Sequence, residues 1–329
     1  MKRRQLLELS AKSILATLAI GFASKSNAQA ILKTGLVLDE AFLNHHISVL
    51  HPESPARYQA IKRSIIANDL VNKTLPIVPK NDAEQWLSLI HSQQHIATIK
   101  TQQRDMHDNG VLATAGVLAA VDTVCNKQVQ NAFCASRPPG HHAKNTGQEE
   151  GFCYYNHIAI AAKYAQQQYG RKKILIIDWD YHHGDGTEWA FYTDPSVLYF
   201  STHDMFAYPG TGFPSRIGKY EGEGLNINVH LDCGSTDSDI IKAFKNKLLP
   251  VAEKFKPDLI LISAGFDSRQ DDLLGCFNIS NYGYIILTQM VKTIANKHCH
   301  GEIVSMLEGG YNLEGNASAV TAHITTLLE

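Results

Sequence analysis

The run Asp178-Trp179-Asp180-Tyr181-His182-His183-Gly184-Asp185-Gly186 sets three carboxylates and two imidazoles within nine positions. Carboxylate oxygens and imidazole nitrogens are the ligands of divalent cations at hydrolytic centres. The run follows Ile174-Leu175-Ile176-Ile177, which is apolar, mostly β-branched, and reads as a buried strand of a parallel sheet. Side chains of an extended chain alternate faces, so the spacing predicts that Asp178, Asp180 and His182 point the same way. Open α/β sheets bind ligands at the carboxyl ends of their strands. Solvated loops also collect Asp, His and Gly, so this run gains its meaning from the other strand ends.

Three further strand ends carry polar chemistry. After Ala132–Ser136 comes Arg137-Pro138-Pro139-Gly140-His141-His142-Ala143, where prolines and glycine present two adjacent histidines on a rigid turn. Asp178 and Asp185 are candidate partners for those imidazoles, a pairing that sets the tautomer and raises basicity. After Leu259–Ile262 comes Ser263-Ala264-Gly265-Phe266-Asp267, whose aspartate offers a third metal ligand beside Asp180 and His182. That set leaves coordination positions open, as catalysis needs. After Ile303–Met306 comes Leu307-Glu308-Gly309-Gly310-Tyr311-Asn312, and its two glycines let the backbone turn so that Tyr311 projects back over the site.

The elements that must position these residues alternate. Strands are expected at Ala132–Ala135, Lys173–Ile177, Val197–Phe200, Leu225–Val229, Asp258–Ile262 and Glu302–Met306. Helices are expected from Ser54-Pro55 to Ala67, with the serine hydroxyl as cap, and over Val111–Asn126 and Asn156–Gln168 with Gly170 behind it. Others run over Asp237–Lys256 with a kink at Pro250, Tyr282–Lys297 and Ala317–Leu328. This order implies βαβ units, a parallel sheet and helices on both faces, an α/β three-layer αβα architecture. There is no internal repeat or Pro/Gly-rich linker, so residues 31–329 read as a single domain. The long irregular stretches 137–152, 201–224 and 263–279 each follow a strand, where function concentrates.

Together these stretches resemble the motif series of the zinc-dependent histone deacetylases. Arg137–Ala143, Gly151-Phe152-Cys153-Tyr154-Tyr155-Asn156, Asp178–Gly186, Ser263–Asp267 and Glu308–Asn312 occur in the family's order, and the likeness runs from His51-Pro52-Glu53-Ser54-Pro55 to the end. Ser-Ala-Gly-Phe-Asp and Glu-Gly-Gly-Tyr-Asn are similar to the class II branch and its bacterial relatives, including acetylpolyamine amidohydrolases. The resemblance implies the arginase/deacetylase fold and these roles. Asp180, His182 and Asp267 hold one Zn²⁺. His142 is the general base, oriented by Asp185, and His141 pairs with Asp178. Tyr311 donates to the oxyanion. Phe152 and Tyr208 wall a tunnel, Gly151 offers a carbonyl, and Leu274 falls at the rim. A structural K⁺ sits near Asp178, Asp180, His182, Ser201 and Thr202, and Arg57 lines an acetate exit.

The implied reaction is deacetylation of acyl-lysine in a protein or peptide. An acetylpolyamine or another small acetylated amine is the alternative substrate. A non-catalytic acyl-lysine binder is the rival from another class, and a two-metal ureohydrolase set is not found.

Composition bounds the setting. The chain has 329 residues, 44% hydrophobic and 19% charged, enough for a large core. Residues 1–30 read as an export leader: Lys2, Arg3 and Arg4, an apolar stretch Ile14 to Ala23, and Ala28-Gln29-Ala30 as a cleavage site. Arg3-Arg4 before Gln5-Leu6-Leu7 resembles a bacterial twin-arginine signal; an ordinary secretory signal, a lipid anchor or an uncleaved leader are the alternatives. Location in a bacterial periplasm follows, or the cytoplasm if the leader stays. Removing those residues shifts the formal charge from −2 to −6. That balance, without a Lys/Arg run in the body, argues against nucleic-acid and anionic-membrane partners. Beyond the leader no apolar run reaches the length of a membrane span. Cys125, Cys134, Cys153, Cys233, Cys276 and Cys299 show no metal or redox spacing and are expected as scattered thiols, with one disulfide of unspecified pairing the alternative.

Overall fold

Apolar runs too short to be helices pair into one eight-stranded sheet: β1 Thr34–Val37, β2 Leu75–Ile77, β3 Asn131–Cys134, β4 Ile174–Asp178, β5 Val197–His203, β6 Asn226–His230, β7 Leu259–Ala264 and β8 Ile303–Leu307. The computed structural model describes residues 34–80 and 82–329, so the leader read at 1–30 lies outside the described residues. Every pairing is parallel, in the order β2-β1-β3-β8-β7-β4-β5-β6. Every residue of β3, β4, β7 and β8 is buried, as expected of strands covered on both faces.

The helices pack in two groups, the outer layers of the αβα fold. α1 Pro55–Ala67, α6 Asp237–Ala243, α7 Leu249–Phe255, α8 Asn281–His298 and α9 Leu313–Leu328 form one. α2 Gln93–Gln102, α3 Arg104–Cys125, α4 His157–Tyr169 and α5 Asp185–Phe191 form the other. Their ends follow local chemistry. Asn156 caps α4 by accepting from Ala159 N, and Gly170 closes it in the left-handed conformation. Ser280 caps α8 and a Thr236/Asp239 capping box opens α6. Among the described residues no helix is long and apolar enough to cross a membrane.

Several expectations are corrected. β1, β2, α2 and α5 were not foreseen. Ser54 starts α1 but its hydroxyl makes no cap bond; Pro55 in the first turn does the work instead. The helix expected over Asp237–Lys256 is three pieces, with a π-helical turn at Phe244–Leu248 between α6 and α7. Pro250 stands near the start of the last piece, where its missing N–H needs no partner. Cys233 and Cys276 form a disulfide, while Cys125, Cys134, Cys153 and Cys299 are the buried thiols that were expected.

The order of the strands explains where the chemistry collects. The four strands whose ends carry the polar runs, β3, β8, β7 and β4, are consecutive neighbours in the middle of the sheet. Their registers align Asp178 with Ser263, Ala264 with Leu307 and Cys134 with Met306. All four chains therefore leave the sheet at one level on one edge.

Candidate active site

β4 ends at Asp178, so strand alternation does not bring Asp180 and His182 together; the irregular turn after β4 does. Asp178 stays at the strand end with both partners nearby: His141 Nδ1 lies 3.0 Å from its Oδ2, and the Tyr199 hydroxyl donates to the same oxygen at 3.1 Å. Asp180 and His182 meet Asp267 from the neighbouring strand. His182 Nδ1 is 3.1 Å from Asp180 Oδ1 and 3.0 Å from Asp267 Oδ2. Each aspartate spends its other oxygen on the backbone, Asp180 Oδ2 accepting from Gly309 N at 2.8 Å and Asp267 Oδ1 from Tyr181 N at 2.7 Å. The main chain presses close here: a Cβ at Gly265 would collide with Asp180, and one at Gly309 with Asp267.

These three residues fit a divalent cation. Zinc bonds of about 2.0–2.2 Å set ligand atoms roughly 3–3.5 Å apart, which matches the nitrogen–oxygen separations. The ligand atoms of Asp180, His182 and Asp267 all lie within 4.8 Å of one another. Burial opposes charge on the His182 ring, yet the two aspartates hold its proton affinity far above the ordinary range. The carboxylate pair thus calls for a positive charge at this point, which a bound metal ion would supply.

The two histidines after β3 are driven apart electrostatically. His142 Nδ1 lies 2.9 Å from Asp185 Oδ1, while burial and then His141 push its pKa down to about 3, leaving it neutral. Burial opposes charge on His141 as well, but Asp178 and Asp180 outweigh it and hold this ring protonated. Two titratable groups with opposed environments are the usual arrangement of an acid and a base.

A cavity of about 540 Å³ opens on this centre, lined by His142, Gly151, Phe152, Tyr181, His182, Tyr208, Leu274 and Tyr311 among others. That volume lies in the range of small-ligand sites. Phe152 packs edge-on against Tyr311 at 5.9 Å, and Tyr208 against His142 at 5.0 Å. Gly151 lends its carbonyl to the Cys153 thiol. Burial holds the Tyr311 hydroxyl well above its ordinary range, so it is a donor at neutral pH. Arg57 lies over the Tyr311 ring at 4.8 Å and donates to the carbonyls of Glu308 and Gly310. Ser201 is the register partner of Asp178 and bonds His203, whereas the Thr202 hydroxyl is buried without a partner.

Glu308 and Lys144 were not singled out from sequence. The Glu308 carboxylate accepts from Gly140 N at 2.6 Å and His141 N at 3.2 Å, which fixes the histidine turn. Burial pushes its carboxyl up to about 7. Its place at the end of β8 was the available signal, because a charged residue ending a buried strand needs a reason. Lys144 bridges Asp185 Oδ2 and Glu150 Oε1, at 2.5 and 3.0 Å.

Comparison with known proteins gives the family of the chain. The family model described as the histone deacetylase domain matches residues 51–327. Histone deacetylase 15 of Arabidopsis thaliana is 38% identical over 325 residues, covering 92% of this chain and 58% of that protein. A probable deacetylase of Archaeoglobus fulgidus is 36% identical, covering 86% of this chain and 82% of its own length. The crystal structure of the HDA15 HD domain superposes with a TM-score of 0.84 at 36% identity, covering 91% of this chain and 89% of that one.

Proposed function

This chain belongs to the histone deacetylase family, and we propose that it is a metal-dependent amidohydrolase that removes acetyl groups from acetylated lysine. One observation carries this reading: a neutral His142 on Asp185, Tyr311, and His182 of the Asp180/His182/Asp267 set line a single cavity. When bound, a divalent ion, Zn²⁺ being the family's metal, polarises an acyl carbonyl and acidifies water. His142 takes the proton of the attacking water and later returns it to the leaving amine, as a group that can hold one proton at Nε2 is able to do. Asp185 keeps the imidazole in the tautomer that leaves Nε2 free for this. His141, paired with Asp178, stands 4.1 Å from the His142 ring and adds positive charge there. Tyr311 donates its hydroxyl to the oxyanion. Phe152 and Tyr208 exclude water around an apolar stem.

Replacing Tyr311 by Phe is expected to cost roughly 10²–10³ in kcat on an acetyl-lysine reporter, and His142→Ala roughly 10²–10⁴. Full turnover in either variant would end the assignment, and metal-independent retention of an acyl-lysine peptide without turnover would favour a binding protein.

For the substrate we favour acyl-lysine in a peptide over an acetylpolyamine. Leu274, 40% exposed at the cavity, is apolar where a polyamine site would place an acid to meet the second ammonium. The acids nearby are engaged by the backbone: Asp272 accepts from the N–H groups of Leu274, Tyr311 and Asn312, and Glu149, which lines the cavity, accepts from Phe152 N. A larger kcat/KM for acetylputrescine than for an acetyl-lysine peptide would reverse this choice.

Two further readings belong here. A monovalent cation, K⁺, near Asp178, Asp180, His182, Ser201 and Thr202 is supported by the buried, unpartnered Thr202 hydroxyl and by the pairing of the adjacent Ser201 with the buried Asp178; activity titrated with KCl against a large organic cation tests it. Export to a bacterial envelope is supported by the Lys2-Arg3-Arg4 leader and by the Cys233–Cys276 disulfide, since such bonds persist in oxidising compartments. Amino-terminal sequencing of the secreted protein tests it, with an intact Met1 as the adverse result.

A further inference from the structure

The loops that follow β6 and β7 are joined covalently. Cys233 and Cys276 are 43 residues apart in sequence, and their Cα atoms lie 5.2 Å apart. A short ladder surrounds the bond: Gly234 N donates to Cys276 O at 2.8 Å, and Asn278 N to Ser235 O at 2.7 Å. On its inner side the Cys276 sulfur is 3.2 Å from the Tyr181 hydroxyl.

Tyr181 stands between this bond and the metal ligands. Its ring packs edge-on to His182 at 5.0 Å, its N–H donates to Asp267, and its side chain lines the cavity with Leu274. Leu274 lies only two residues before Cys276. The rim segment 271–276 is therefore fastened at both ends. Asp272 ties one end to the backbone of Tyr311, and the disulfide ties the other to a loop outside the site. Cys233 is exposed and Cys276 half-buried, so a reductant in solution can reach the bond between them.

We propose that the Cys233–Cys276 disulfide is a positioning element for substrate binding, fixing Leu274 and Tyr181 in the tunnel wall so that substrate affinity follows the oxidation state of the pair. The inference rests on the amide-hydrolase reading for its substrate. Reduction by a phosphine breaks the sulfur–sulfur bond. Each sulfur gains one proton from water, and the phosphorus gives up two electrons and leaves as phosphine oxide carrying the water oxygen. The rim then keeps its backbone ladder and loses its covalent tie, so binding weakens more than the chemical step does.

The test uses the metal-loaded protein purified in air, with tris(carboxyethyl)phosphine as reductant because dithiols would ligate the zinc. Peptide mapping should find Cys233 linked to Cys276. After reduction, amide exchange over residues 271–276 should rise, and KM for an acetyl-lysine peptide should rise by roughly three- to tenfold with kcat within about twofold. Cys233→Ser should show the higher KM from the start and ignore the phosphine. Free thiols at both positions in the air-purified protein overturn the proposal, as does exchange or KM that reduction leaves unchanged. Changed exchange without turnover of any acetylated amine in either form upholds the mechanical role of the bond and overturns the deacetylase reading instead.

Discussion

Two buried charge clusters act on Tyr311, and they are solved differently. Glu53, fully buried, is gripped by Arg137 through both oxygens at 2.6 Å and by Arg57 at 3.1 Å, with His45 at 3.2 Å. The spare guanidinium donors go to the carbonyls of Phe42, His45, Glu308 and Gly310. Asp178, Asp180 and Asp267 are equally buried, yet among the described residues their ion-pair partners are histidines alone. The fold neutralises one set of acids from within and leaves the other to a cation from outside. Buried carboxylates partnered by histidines alone are thus the mark of the working site, and carboxylates locked to arginine the mark of its scaffold.

The strongest way to break this contrast is to remove a ligand. Asp267→Asn is expected to lose at least about 10³-fold in turnover together with its bound metal, measured by elemental analysis. Zinc at about 1,000 times its Kd should stabilise the metal-free wild type by about 4 kcal/mol and leave Asp267→Asn unmoved. Glu53→Gln keeps the shape but strands two guanidiniums, and should cost about 3–5 kcal/mol in urea unfolding whether or not metal is present. A small loss there would erase the distinction.

Acid sharpens the same point. Burial works to raise the Glu53 carboxyl, but His45, Arg137 and Arg57 overcome it and hold the group well below the usual carboxylate range. Because the folded value lies under the unfolded one, the contribution is complete above the unfolded value of 4.5 and fades as pH falls beneath it. Wild-type stability should therefore drop below pH 4.5 more steeply than that of Glu53→Gln; parallel curves would refute the assignment. The smallest effect belongs to the Lys144–Asp185 pair, whose lysine is 31% exposed, and Lys144→Met should change stability by about 1 kcal/mol or less.

What could be read from the sequence follows from how local each signal is. The four central strands and the polar residues behind them were legible because a buried parallel strand is a continuous apolar run and a ligand at its end interrupts that run abruptly. β1 and β2 escaped: Thr34–Val37 is four residues long, and Leu75-Pro76-Ile77 carries a proline that reads as a break. α5 has little helical signal of its own, being seven residues long with a first residue, Asp185, that also serves the site. Pairings across long separations, such as Glu308 with Gly140 or Cys233 with Cys276, have no signature in spacing and wait for the sheet order to bring them together. Asp180 and His182 do stand beside Asp267, but the turn after β4 brings them there and strand alternation does not.

The glycines at 265 and 309 have a consequence for anyone reshaping this enzyme. The floor of its cation cradle is bare main chain, with no room for even a methyl group against the two aspartates. Saturation libraries at those positions should return only the parental residue, and a switch of metal preference has to be sought by exchanging the ligands themselves.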